Sequence, residues 1–158
     1  MNSLKQNGFG LVEIIIVTSL SFIVLLGITS YLNNSLKIAS EGVNKVEALS
    51  YARSSLEQAR TLRDVDWSNI SGLTLDSNYY FDEVGSSPDA WVSVLGHKTI
   101  GKYTIWFVPS SVLRDGNDDI ALAGTIDPNT IKITSSVSYY SRGSLKQIDL
   151  YVYLTNFR

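Results

Sequence analysis

Apolar residues fill the chain from Phe9 to Leu32 with Glu13 as the one ionisable side chain, and lysines bracket the run at Lys5 and Lys37. A helix of that length would measure about 36 Å, enough to cross a hydrocarbon core of roughly 30 Å with some tilt. A cleaved secretory signal would have a shorter apolar region followed by a small-x-small site, and neither is found after Ile28. The span is therefore expected to stay in the mature chain. Lys5 favours a cytoplasmic amino end, which places everything after Lys37 on the other side.

The pattern then changes without stopping. Ala39, Val43, Val46, Leu49, Ala52, Leu56, Ala59 and Leu62 recur at intervals of three and four, a stripe that predicts an amphipathic helix to about Arg63. Glu41 with Lys45 and Arg53 with Glu57 stand at the four-residue offset that supports a helix from its polar face. Gly27, Gly42 and Asn33-Asn34-Ser35 weaken the helix locally and mark where it could bend.

After Asp64 the periodicity shortens to two. Asp64 to Asp89 reads as a connecting loop with a short strand near Tyr79 to Val84, and Trp91 to Leu95 and Lys102 to Val108 read as strands. Ile131, Ile133, Val137 and Tyr139 alternate with polar residues, as do Ile148, Leu150, Val152 and Leu154. The two runs predict a hairpin turning at Ser141-Arg142-Gly143-Ser144. An isolated hairpin is marginal in water, so its apolar face needs the helix stripe as a partner. The expected fold is α+β: a long N-terminal transmembrane and amphipathic helix packed on a C-terminal antiparallel sheet. The chain divides into a leader (1–8), an apolar helix (9–32), its amphipathic continuation (33–63) and a loop-and-sheet head (64–158).

Composition narrows the chemistry. With 158 residues and 44% apolar content there is room for one domain plus a membrane element, and the net charge of -2 shows no basic footprint for nucleic acid. The chain has no cysteine, which removes disulfides and thiolate chemistry. His97 is the only histidine and reads as a solvated loop residue. No phosphate loop, nucleophile motif or paired carboxylates are found, so no catalytic residue, cofactor or metal is assigned and the chain is expected not to be an enzyme.

Glu13 is the anomaly. An acid at mid-membrane costs on the order of 2.5 to 3.5 kcal/mol, less near the interface, and no Lys or Arg lies between Phe9 and Leu36 to offset it. A cation must come from the headgroups, from another subunit, or from a new amino terminus made nearby by proteolysis. The stretch Gly8-Phe9-Gly10-Leu11-Val12-Glu13 resembles the processing site of type IV prepilins and type II secretion pseudopilins: a short polar leader ending in Gly, then Phe, then Glu at the fifth mature position, then a long apolar helix. The resemblance implies cleavage between Gly8 and Phe9 by a membrane prepilin peptidase and methylation of the Phe9 amine. It also implies that Glu13 meets the Phe9 amino group of a neighbouring subunit during assembly, a charge pair that rewards correct register.

By that resemblance the head would have a pilin fold. The protein would sit in the inner membrane as a single-pass precursor among lipid, then join other pilin subunits in an extracellular or periplasmic filament through an inner-membrane assembly platform. The stretch from Lys132 to Arg158, closing on Tyr153-Leu154-Thr155-Asn156-Phe157, and the segment Ala52 to Trp67 look more like minor pilins and pseudopilins than like disulfide-looped major pilins. Many family members carry a Pro in the apolar helix and this chain does not.

Two constellations in the head carry further readings. Asp115-Gly116-Asn117-Asp118-Asp119 alternates oxygen ligands as a calcium loop would, but no bidentate acid follows at the right spacing, and a solvated turn is the reading taken. Trp106, Tyr139, Tyr140, Tyr151 and Tyr153 could form an aromatic strip. Without interleaved Lys and Arg it lacks the electrostatic half of a DNA surface, so nucleic acid is not expected as a partner. The alternative to a filament subunit is a single-pass anchored binding module acting through its head in DNA uptake or adhesion.

Overall fold

The computed structural model describes residues 10–83 and 91–157. Gly8 and Phe9, and with them the expected cleavage site, lie outside the described residues, as does the Val84 end of the strand expected there. Helix α1 runs Leu11–Val65, and its hydrogen-bonded assignment continues through Gly27, the Asn33-Asn34-Ser35 segment and Gly42. The described residues fall into two compact units, one ending at Val43 and the other beginning at Asn44.

In the first unit α1 is exposed throughout, from Leu11 to Ile38 and beyond. Its window of highest hydropathy, averaging 2.6, is long and apolar enough to cross a membrane. Three hydroxyls in this stretch turn inward on the helix itself: Thr18 Oγ1 donates to the Ile14 carbonyl at 2.9 Å, Ser21 Oγ to Val17 at 2.8 Å and Thr29 Oγ1 to Leu25 at 2.8 Å. These three are thus satisfied without water, which is compatible with an apolar surrounding.

Among its described residues the second unit holds the end of α1, a one-turn helix α2 (Ser68–Ser71) and seven strands: β1 (Tyr79–Glu83), β2 (Trp91–Leu95), β3 (Lys98–Ile100), β4 (Tyr103–Arg114), β5 (Ile120–Ala121), β6 (Thr125–Ser141) and β7 (Ser144–Thr155). The sheet runs β2-β1-β4-β6-β7, with β3 and β5 also paired to β4, and every pairing is antiparallel. The expected strand at Trp91 to Leu95 and the hairpin at Ser141 to Ser144 are both present. Arg142 and Gly143 both take positive φ, 52° and 74°, the pair of left-handed residues that a two-residue turn of type I′ demands.

Inward positions alternate along the strands as a one-sided sheet dictates. Tyr103, Ile105, Phe107 and Pro109 of β4 are buried, as are Ile131, Ile133, Val137 and Tyr139 of β6. Two clusters make the core. One joins Leu56, Ala59 and Leu62 of α1 to Phe81, Phe107, Ile133 and Leu154; the other joins Ala48 and Ala52 to Tyr103, Ile105, Val137 and Tyr139. Phe81 and Phe107 stack with centroids 4.2 Å apart.

Three expectations need correction. Val43 and Val46 are exposed, Val46 at 68%, whereas Ala48 and Ser55 are buried. Val46, Leu49 and Ala52 follow one another in steps of three, each about 60° short of a full turn, so the expected stripe rotates away from the buried face. Glu57 pairs with Arg60 rather than with Arg53. Strand β4 continues past Val108 to Arg114, and the stretch from Asp64 contains the helix α2 in addition to the strand expected near Tyr79, which is β1. Pro109 does not stop β4 because its own carbonyl accepts from Asp76 N at 2.8 Å, on the side of the strand away from β6. The missing N–H points the same way and removes no bond of the β4–β6 ladder.

Candidate functional site

Glu13 stands in the first turn of α1, exposed, in a surface otherwise built of Leu11, Val12, Ile14, Ile15, Ile16 and Val17. Its backbone N–H donates to the Gly10 carbonyl at 2.9 Å, so the helix is already formed at this position and fixes where the carboxylate projects. A carboxylate near the free N–H groups of a helix start is favoured by the helix dipole. It still has no basic side chain on its own helix before Lys37. A cation delivered by another molecule is what this arrangement can receive.

The head presents a second set of charged groups that sequence spacing does not reveal. Arg114, at the end of β4, donates through Nε to Asp127 Oδ2 at 2.6 Å, and Asn129 N donates to the other oxygen at 2.8 Å. Only 10% of the Asp127 side chain is exposed. The Thr130 hydroxyl and the Arg114 guanidinium hold its carboxyl well down, to about 2. Arg114 is in turn held above its ordinary value by that bond. The knot ties β4 to β6 beyond the register shift at Ser111/Val112.

Next to it, Asp115 Oδ1 is engaged by its own loop, accepting from Asn117 N at 2.8 Å and Asp119 N at 3.1 Å. Asp118 takes a positive φ of 66°, and its carbonyl accepts from Arg114 Nη1. The geometry is that of an Asx turn with an arginine against it. Among the described residues no group of three or more His, Asp and Glu side chains converges as a metal site would require.

Tyr103 forms a third feature. Its hydroxyl donates to Glu47 Oε2 at 2.7 Å, and its ring meets Tyr51 and Tyr139 at 5.3 Å and 5.4 Å. Burial, and then the Glu47 carboxylate, push the phenol above its usual range. On the β3 side, Lys98 bonds to Asp82 at 2.9 Å and lowers that carboxyl. His97 is exposed in the loop before β3, edge-on to Trp106 at 5.1 Å.

The aromatic strip is only partly assembled. Tyr139 faces the core, so it leaves the strip because its position on β6 has the inward parity. Tyr140, Tyr151 and Tyr153 are exposed; Tyr151 and Tyr153 meet edge to face at 5.7 Å, and Lys132 Nζ lies 4.7 Å from the Tyr151 ring centre. Trp106 is on the same face but pairs across to Ser136, with the width of β6 between it and the tyrosines of β7.

Comparison with protein-family profiles, with curated proteins and with solved structures finds no match for this chain.

Proposed function

We propose that the chain is a non-enzymatic structural subunit, minor in role, of a type IV pilus or a type II secretion-like pseudopilus. In this reading prepilin peptidase cuts between Gly8 and Phe9, the Phe9 amine is methylated, and the span to Leu32 holds the subunit in the inner membrane. The assembly platform then adds it to other pilin subunits through that helix. The observation that carries the reading is Glu13: a single acid in the first turn of an exposed apolar helix, four residues after a Gly-Phe step. A charge left alone in an apolar bundle is strongly destabilising, and a freed amine on an adjoining copy neutralises it at one register only. The α+β head, with α1 contributing its own buried residues to the sheet core, is what the same reading needs at the outer end of the helix.

Mass spectrometry of the amino terminus of chain purified from its own membranes tests this. The expected chain lacks Met1 to Gly8 and carries one methyl group on Phe9. A chain beginning at Met1 would overturn the reading.

A further inference from the structure

The two core clusters of the head meet along a seam marked by serine. On α1, Ser55 lies between Ala52 of one cluster and Leu56 of the other. On β6, Ser135 lies between Val137 and Ile133 of the same two clusters, and among the described residues its Oγ has no hydrogen-bond partner. The sheet parts at this level too. Strand β1 joins β4 at the single pair Tyr79–Phe107, while β3 takes the β4 edge from Ile105 to Tyr103. Beyond Tyr79 the β1–β2 hairpin therefore leaves β4, and the Lys98–Asp82 ion pair at 2.9 Å bridges it to β3.

A cavity of about 200 Å³ opens at the parting, walled by α1 and by the strands. Phe81 of one cluster and Ile105 of the other line it, and two half-buried rings flank the seam: Trp91, packed against the first of these clusters, and Tyr51, packed against the second. Ser54, Ser55 and Gln58 of α1 and Glu83 of β1 add polar groups. Ser55 is 4% exposed, and among the described residues its hydroxyl makes no hydrogen bond. A buried hydroxyl without a partner is unfavourable, so a donor and acceptor brought by a ligand would satisfy what the fold leaves open.

The lining selects the class of ligand. Lys98 is the one cation among the described lining residues and is already paired with Asp82, while Glu83 adds a negative charge, so an anion is disfavoured. Among the described residues no three His, Asp or Glu side chains converge on a metal. The volume is below the roughly 300–1,000 Å³ of sites for drug-sized ligands, which leaves room for one small ring. Two hydroxyls and an amide each donate and accept, Glu83 accepts, and the aromatic rings cover apolar C–H groups. We propose that this cavity binds a neutral sugar ring. Every lining residue lies after Asn44 and Glu13 has no part in it, so the site stands or falls separately from the filament reading.

Saturation-transfer difference NMR on the full chain in phosphatidylcholine liposomes, prepared without glycoside detergent, tests this with methyl glucoside, methyl galactoside and N-acetylglucosamine as probes. One of them is expected to saturate with a Kd on the order of 1 mM, the range open to a ligand of about a dozen heavy atoms. Ser55→Ala removes a hydroxyl that no described group engages, so it should not lower the melting temperature followed by tryptophan fluorescence, yet should weaken sugar binding about 2- to 10-fold. Gln58→Ala, at a half-exposed helical position, should weaken binding by a similar factor, and the double variant should bring it to background. A trisaccharide of the best probe that binds as tightly supports a glycan end as the source of the ring, and one that is excluded supports a free sugar.

Absence of a saturable signal from all three probes up to about 50 mM overturns the proposal. So does unchanged affinity in the double variant, or a lower melting temperature with unchanged binding in Ser55→Ala. An equal response to glycerol, or to tetramethylammonium as a ligand of aromatic rings, overturns it as well.

Discussion

Glu13 and Asp127 are both carboxylates, and the fold treats them in opposite ways. Asp127 has Arg114 within its own fold at 2.6 Å, whereas Glu13 stands on an apolar helix that supplies none before Lys37. On the filament reading proposed above, removing Glu13 leaves the subunit intact and costs it a neighbour: Glu13→Leu is expected to accumulate normally in the membrane and to be strongly depleted from sheared filaments, scored by immunoblot of both fractions. Wild-type incorporation would remove the role given to the carboxylate. For Asp127 the consequence is in pH. Its folded value of about 2 lies below the ordinary carboxylate value of about 3.9, so its stabilising contribution is complete above about pH 4 and disappears as pH falls towards 2. Asp127→Asn should melt below the wild type at pH 7, and the gap between the two melting temperatures should close on acidification through that window. Near-UV circular dichroism across pH 7 to 2 measures it, and a gap independent of pH would mean that the carboxylate charge contributes nothing there.

At the scale of elements, alternation and turn chemistry were enough to place β7 and its hairpin, because one sheet face is buried and Arg142-Gly143 offers the left-handed pair the turn requires. The helix was legible in extent but not in phase. The face that meets the sheet is lined by Ala48, Ala52, Ser55 and Ala59, small residues that allow close approach, and the larger Val46 lies about 160° round from Ala48. A hydrophobicity pattern weights Val above Ala and Ser, so it selected the wrong side at the start of this stretch. Short β3 and β5 and the Arg114–Asp127 knot depend on pairings between separate strands, which local periodicity does not encode. The phase can be checked directly. Ala52→Leu forces a large side chain against Tyr103 and Val137 and should cost about 1–3 kcal/mol. Val46→Leu, on the exposed side, should stay within about 0.5 kcal/mol of wild type. Urea unfolding of both variants distinguishes the two faces, and equal losses would place the buried stripe where the larger residues are.

For the whole molecule the division at Val43 separates two different solubility problems. Every member of both core clusters lies after Asn44: Ala48 through Leu62 on the helix, and the rest on α2 and the strands. The head thus carries its buried apolar face with it, and no described residue before Asn44 belongs to either cluster. Before that point the residues from Leu11 to Ile38 are exposed, and their large apolar side chains, interrupted by Glu13, a few hydroxyls and the Asn33-Asn34-Ser35 segment, exceed the patch of a few hundred Å² that a soluble monomer tolerates. A chain starting at Asn44 should therefore be soluble without detergent and should unfold in one cooperative transition. The full-length chain should partition into membranes and need detergent to leave them. Removing residues 1–43 also takes away Glu13, so the fragment is expected to keep the head fold and, on the proposed filament reading, to be absent from filaments. A fragment that is molten or aggregates would mean that the exposed span supports the head. A full-length chain that stays in the aqueous phase would mean that the span folds back on itself instead of entering lipid.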